Sequence, residues 1–311
     1  MDVPAGRKDN NSVTWLKWYK IVEGRSRKGM DIDMSFKIVV DSCCELPESL
    51  QQDRRFERVP LGLEVGEYCR MDDENFDQAE FLRKVAEYPK CPKSSCPSPE
   101  RFMESYDDSA EHIYAVTLSS HLSGSYNSAE LGKKLYHEKH GKKSIHVIDS
   151  ESASGGETQI ALKLMELEAA GFSFEKIVEK IEAFRDSIQT YFVLDNLETL
   201  RKNGRLSGVK ALVASTLNIK PVMGADKGEI IQRSQTIGIK KALGKLAELA
   251  AAEVKNPGER RLIITHCNAL ARAQQVKEQI LAKAGFKECI IMDTRGISSM
   301  YANDGGVIVT T

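Results

Sequence analysis

Three short runs rich in apolar residues set the architecture. Residues 36–40 (FKIVV), 113–118 (IYAVTL) and 144–148 (SIHVI) have the β-branched and aromatic content of buried strands. Between and after them the period changes to that of helices. Residues 75–88 place Phe76, Ala79, Leu82 and Ala86 on one face, a run from about Ser125 to His137 looks helical, and helices are expected around 157–170 and 173–186. This alternation predicts an α/β fold, with a mostly parallel, Rossmann-like sheet wrapped by helices. A further strand is expected around 58–63. A proline-rich loop is expected over 92–99, with Ser98 capping a helix that opens at Pro99.

From about residue 187 the pattern changes. A strand over 189–194 is followed by residues 196–202, a basic turn Asn203-Gly204-Arg205 and a helix over about 208–217. Residues 218–223 and 229–235 read as a hairpin around Asp226-Lys227-Gly228. Helix 240–254, strand 261–265, helix 269–284, strand 288–292 and a closing strand 307–310 then predict a second α/β domain with a mixed sheet. The expected organisation is an appended tail over 1–35, a first domain over 36–186 and a second over 187–311. The tail is rich in Lys, Arg, Gly, Asp and Asn, with an aromatic patch at Trp15, Trp18 and Tyr19.

Length and charge narrow the function. The 311 residues suit one large or two medium domains with room for an internal pocket. A formal net charge of −1 offers no global field to recruit nucleic acid. No apolar stretch reaches the roughly 18 residues of a membrane span, and the N-terminus lacks the apolar core of a secretory leader. Seven irregularly spaced cysteines, with Cys43 beside Cys44, suggest free thiols in a reducing, cytoplasmic setting.

The chemistry concentrates in one strand–turn–helix junction, residues 117–129 (TLSSHLSGSYNSA). Ser119, Ser120, Ser123 and Ser125 sit in or beside the turn, around Gly124. Backbone N–H groups at a helix start and serine hydroxyls can converge there on an anion. One serine would be only a helix cap; four around a glycine fit a carboxylate or phosphate cradle. A second serine cluster, Ser94 and Ser95, lies in the proline-rich loop, and Arg205 sits in a glycine-containing turn. The strands at 36–40 and 144–148 both run into Asp-Ser, and strand ends of this kind collect ligand groups in open α/β sheets.

Other chemistries lack their residues. His137-x-x-His140 has no recognisable ligand set around it, Cys91 and Cys96 have no second pair, and His266-Cys267 stands alone, so no metal is expected. Neither G-x-x-x-x-G-K-[ST] nor a G-x-G-x-x-G after a strand occurs, so no nucleotide cofactor is expected. A serine hydrolase would need a histidine held by a carboxylate, and His121 is the nearby candidate; G-x-S-x-G is absent.

Six motifs in order then resemble the DegV family of bacterial fatty-acid-binding proteins. Asp41-Ser42-Cys43-Cys44-Glu45-Leu46-Pro47 is similar to an opening D-S-x-x-x-L-P, and Ser94-Ser95-Cys96-Pro97-Ser98 to a T-S-Q-P-S loop. Residues 119–126 resemble S-S-x-L-S-G-[TS]-Y, and Asp149-Ser150 the following D-S. Residues 197–207 resemble L-x-x-L-x-x-x-G-R-[IL]-[ST], and Asn218-Ile219-Lys220-Pro221 matches N-I-K-P. The resemblance covers about residues 36–311. It implies two α/β domains (the EDD fold) with a long-chain fatty acid between them, its carboxylate held by Ser94 and Ser123, and no catalysis by the chain itself.

The resemblance maps the family arginine to Arg205 and implies supporting roles for Ser95, Ser120 and Gly124. It also implies a partner, a separate ATP-dependent fatty acid kinase. Kinase-linked members carry a C-terminal histidine by the carboxylate; counting back from Gly306-Val307 places Ser299 there. Two alternatives remain open: another amphiphilic anion as ligand, or a serine-dependent acyl hydrolase.

Overall fold

The computed structural model describes residues 35–206, 209 and 218–311. The expected tail, except Ser35, and the helix expected over 208–217, except Val209, lie outside the described residues.

Strands β1 (Phe36–Asp41), β2 (Phe56–Val59), β3 (Gly62–Val65) and β4 (Tyr68–Met71) lead into helix α1 (Gln78–Glu87). Strand β5 (Lys93–Ser95), helix α2 (Pro99–Ser105), strand β6 (His112–Thr117), helix α3 (Ser125–His140), strand β7 (Ser144–Asp149), and helices α4 (Gly155–Ala169) and α5 (Phe174–Arg185) follow. The second half runs β8 (Thr190–Val193), α6 (Glu198–Lys202), β9 (Ile219–Asp226), β10 (Glu229–Ile237), α7 (Ile239–Glu253), β11 (Arg261–His266), α8 (Leu270–Leu281), β12 (Glu288–Asp293), α9 (Gly296–Ala302) and β13 (Val307–Thr310).

The first sheet has the order β2-β1-β6-β7, all parallel. Every residue of β1 is buried, as a strand covered on both faces requires. The second sheet has the order β10-β9-β8-β13-β11-β12 and is mixed: β11 and β12 run parallel, the other pairs antiparallel. Lys227 and Gly228, at φ of 46° and 83°, form the two-residue turn of the β9–β10 hairpin, where two positive φ values match the twist of the strands. Ser98 caps α2 through the Arg101 N–H, and Pro99 occupies its first turn, as the sequence predicts.

Helix α4 lies between the two sheets. It packs against β1 and β6 on one side and β11 and β13 on the other. Eleven of its fifteen residues are buried because sheets cover it on two sides, while the half-exposed Lys163 and Glu166 pair with each other along its edge. Gly155 permits the approach, because a Cβ there would stand 2.9 Å from Ile263 Cγ2 and 3.0 Å from Thr310 Oγ1.

Several expectations are corrected. The strand expected around 58–63 is two strands in different sheets. Pro60, which has no N–H to donate, separates β2 from β3. Strands β3, β4 and β5 form a third, antiparallel sheet of order β4-β3-β5, so the proline-rich loop contains a strand. Residues 198–202 are helical, and α9 occupies a segment given no element in the sequence reading. Asp72 receives the first two N–H groups of α9, from Gly296 and Ile297, at 2.9 Å each. That carboxylate ties the C-terminal part of the chain to the third sheet and to α1.

Candidate functional site

The serine turn is built from below by strand-end carboxylates. Asp41, at the end of β1, is completely buried. Its Oδ2 accepts from Leu118 N at 2.9 Å and from the Ser125 hydroxyl at 2.6 Å, and its Oδ1 from Cys43 N at 3.0 Å. Asp149, at the end of β7, accepts from Ser120 N and Glu151 N at 3.1 Å each. The Ser119 hydroxyl donates to the Gly228 carbonyl at 2.9 Å, docking the hairpin tip of the second sheet on the turn. Ser119 O accepts from Leu122 N at 2.9 Å and Ser123 N at 3.1 Å, and Ser123 Oγ accepts from Ser125 N at 3.2 Å. The turn is therefore rigid, and its serines have separate duties.

Beside it lies a cavity between the sheets, with about 840 Å³ of empty space counting its open mouth. Leu61, Leu118, Phe192, Leu194, Ile230 and Ile297 are among its apolar walls. The Ser152–Thr190 hydroxyl pair (2.7 Å) and Ser154, bonded to Thr265 Oγ1 at 2.7 Å, satisfy one another at its edge. At the neck stand Ser94, Ser123, Arg205 and Tyr301. Ser94 Oγ is 3.0 Å from the Tyr301 phenol oxygen. Arg205 donates through Nε to the Leu122 carbonyl at 3.1 Å, and its Cζ lies 5.9 Å from the Tyr301 ring centre. Beyond the neck a polar hollow shares Leu122, Ser123 and Arg205 and adds Ser120, His121, Gly124, Asn127, Asn203 and Gly204.

The sequence-predicted residues thus separate into three groups. Ser94, Ser123 and Arg205 meet at the neck. Ser120 and Gly124 face the outer hollow with Ser123 and Arg205. Ser95 and Ser299 do neither. Ser95 follows Ser94 along β5, so it points to the opposite face, where it is exposed over Gly62. Ser299 is buried in α9; its hydroxyl lies 2.8 Å from Thr294 Oγ1 and 3.1 Å from Gln78 Nε2, turned away from the cavity. The residues of α9 that reach the cavity are Ile297, Ser298, Tyr301 and Ala302, one face of a helix. Tyr301 was missed because α9 is short and its ends carry no side-chain caps, so no helical face was available to count along.

Three acidic groups lie buried behind the turn. Burial pushes Glu45 up to about 7, opposed by hydrogen bonds from Ser154, Ser298 and Arg295 N. Burial, then the charges of Asp41 and Glu45, hold Glu157 well above the usual carboxyl range. Protonated, Glu157 can donate to the Asp41 carboxylate, a bond that holds the proton on Glu157 and lowers Asp41. Asp41 is also raised by burial, against the bonds from Ser125, Leu118 and Cys43. Glu157 therefore keeps its proton in the folded state while the unfolded chain releases it above about pH 4.3. Stability falls as pH rises above that value, by up to about 1.4 kcal/mol per unit, until the folded group ionises. Glu157→Gln cannot ionise. We expect its melting temperature to match the parent below about pH 4 and to exceed it by a widening margin through neutrality; equal melting curves at pH 8 would contradict the assignment.

No imidazole among the described residues bonds a serine hydroxyl of the turn. His121 Nδ1 stands 3.4 Å from Glu229 Oε1 on the surface. His137 bonds the Lys143 carbonyl and His140 stacks on Tyr136, so that pair forms no ligand set. Among the described residues no cluster of three or more His, Cys, Asp or Glu could hold a metal, and no helix is long and apolar enough to cross a membrane.

Known proteins share this fold. The family model described as "Uncharacterised protein, DegV family" matches residues 35–310. A DegV domain-containing protein of Streptococcus pyogenes serotype M1 is 36% identical over 283 residues, covering 89% of this chain and 99% of the relative. A DegV family protein from Ruminococcus gnavus, refined with vaccenic acid, superposes with a TM-score of 0.88 at 52% identity, over 90% of this chain and all of that one. The Streptococcus pneumoniae Fatty Acid Kinase B3 protein, loaded with linoleic acid, gives a TM-score of 0.79 at 33% identity, over 89% of this chain and 99% of that one. With motifs, fold and cavity in agreement, the chain belongs to the DegV family.

Proposed function

We propose that this chain is a carrier that buries the tail of a long-chain fatty acid in the cavity and holds the carboxylate at the neck through Ser94 and Ser123. The observation that carries the reading is a largely apolar cavity whose lining also includes Ser94, Ser123 and the Arg205 guanidinium. About 14 methylenes at roughly 0.8 kcal/mol each supply on the order of 11 kcal/mol before losses, so the tail drives affinity. Taking the carboxylate out of water costs several kcal/mol unless it is hydrogen-bonded, which the hydroxyls and Arg205 offset. The vaccenic and linoleic acids in the two relatives support a long-chain fatty acid as the ligand.

The ligand lies between domains of about residues 36–186 and 187–311. Presentation to a separate ATP-dependent fatty acid kinase is supported by the pneumococcal relative's name. Among the described residues no imidazole bonds a hydroxyl of the turn, and His121 instead faces Glu229, which favours binding over hydrolysis. Seven free thiols, two of them adjacent and buried, fit a reducing cytoplasm.

Denaturing the purified protein, extracting it and running mass spectrometry tests the reading. A stoichiometric fatty acid is expected, and an extract empty of it, together with no uptake in titration, would refute it. Ser123→Ala is expected to weaken acid binding by about 1.5–3 kcal/mol, the worth of a hydrogen bond to a charged group. Unchanged affinity would remove Ser123 from the site.

A further inference from the structure

Tyr301 stands at the neck between Ser94 and Arg205. Its phenol oxygen is 3.0 Å from Ser94 Oγ. Its ring lies under the Arg205 guanidinium, 5.9 Å from Cζ. The same ring packs on two apolar clusters, one holding Leu61, Leu63 and Leu118, the other Phe192, Leu194 and Met223. Packing fixes the ring and leaves the hydroxyl as the free variable.

Hydrogen-bond polarity then gives that hydroxyl a role. A carboxylate only accepts. A serine hydroxyl has one hydrogen to give, so Ser94 bonded to a carboxylate can meet Tyr301 only as an acceptor. We propose that Tyr301 is a positioning residue for the ligand: its O–H donates to Ser94 Oγ, which turns the Ser94 O–H onto the carboxylate. With no ligand the pair can point either way. A bound anion selects one polarity, and the chain Tyr301→Ser94→carboxylate strengthens along its length. Arg205, held over the ring and bonded to the Leu122 carbonyl, keeps a positive charge on the same side. A ligand with a hydroxyl head can satisfy Ser94 in the opposite polarity, by donating to it while Ser94 donates to Tyr301. The relay therefore selects an anionic head over a neutral one of the same tail length. The inference rests on the fatty acid reading above.

Tyr301→Phe keeps the ring and removes the hydroxyl. The test titrates vaccenic acid and the corresponding primary alcohol into the parent, Tyr301→Phe, Ser94→Ala and the double variant, with ligand-free melting curves beside them. We expect Tyr301→Phe to lose roughly tenfold in acid affinity, as for one hydrogen bond, and to hold alcohol affinity within about twofold. In the Ser94→Ala background the same change should cost nothing further, since the relay has lost its middle member. Three results would each overturn the proposal: unchanged acid affinity in Tyr301→Phe, equal losses for acid and alcohol, or a full additional loss in the double variant. Failure of the parent to bind the acid would be a different outcome. It would overturn the fatty acid reading and the relay with it.

Discussion

Asp41→Ala is expected to abolish acid binding and to destabilise the protein by about 3–5 kcal/mol, the range for breaking a buried polar network. One fully buried carboxylate receives Leu118 N, the Ser125 hydroxyl and Cys43 N. Alanine leaves three donors without an acceptor where water does not reach, and each costs about 1–3 kcal/mol. The same bonds hold both ends of the serine turn, so Ser123 loses its place when they go. Asp41→Asn separates the two effects. One amide oxygen can serve Leu118 and Ser125, but the NH₂ then faces the Cys43 N–H, a single lost bond of about 1–3 kcal/mol. Urea unfolding with parallel fatty acid titration checks the order parent, Asn, Ala. An alanine variant within 1 kcal/mol of the parent would show that the turn is held by something else.

The second large effect comes from the wall of the cavity. Ala225 lines it from β9, near the tip of the β9–β10 hairpin. Ala225→Phe places a ring in space proposed for the tail. Displacing about four methylenes forfeits roughly 3 kcal/mol, or about a hundredfold in affinity. Affinity for acids shorter by that length should change much less, because their tails can leave the occupied space empty. A melting curve separates filling from misfolding. Equal loss across all chain lengths would mean that the tail does not run past Ala225.

Much of this was legible in the sequence because it is written in local periods. Runs such as FKIVV and IYAVTL can hardly be other than buried strands, and the helices between them repeat at the spacing of one face. The serine turn was legible for a different reason: a cluster of one residue type around a glycine has few structural explanations. The third sheet escaped because its strands are three or four residues long and carry Lys93, Glu64 and Arg70 beside their apolar positions. That omission had a chemical consequence. Without β5 as a strand there was no alternation to set Ser94 and Ser95 on opposite faces. Ser299 was reached by counting along the chain from Gly306. Counting fixes a position but not a direction, and in α9 two residues turn a side chain from the core to the cavity. The Ser94–Tyr301 contact joins residues 207 positions apart, which no local pattern can reveal.

Helix α4 gives the molecule a mechanical character. A clamshell opens because two shells meet along a seam and share little besides a hinge. Here a buried helix serves as inner wall to both sheets at once. Swinging the sheets apart would strip it from one of them and wet residues such as Ile160, Leu164 and Met165. The vessel's two sides are therefore braced against each other by a single shared strut.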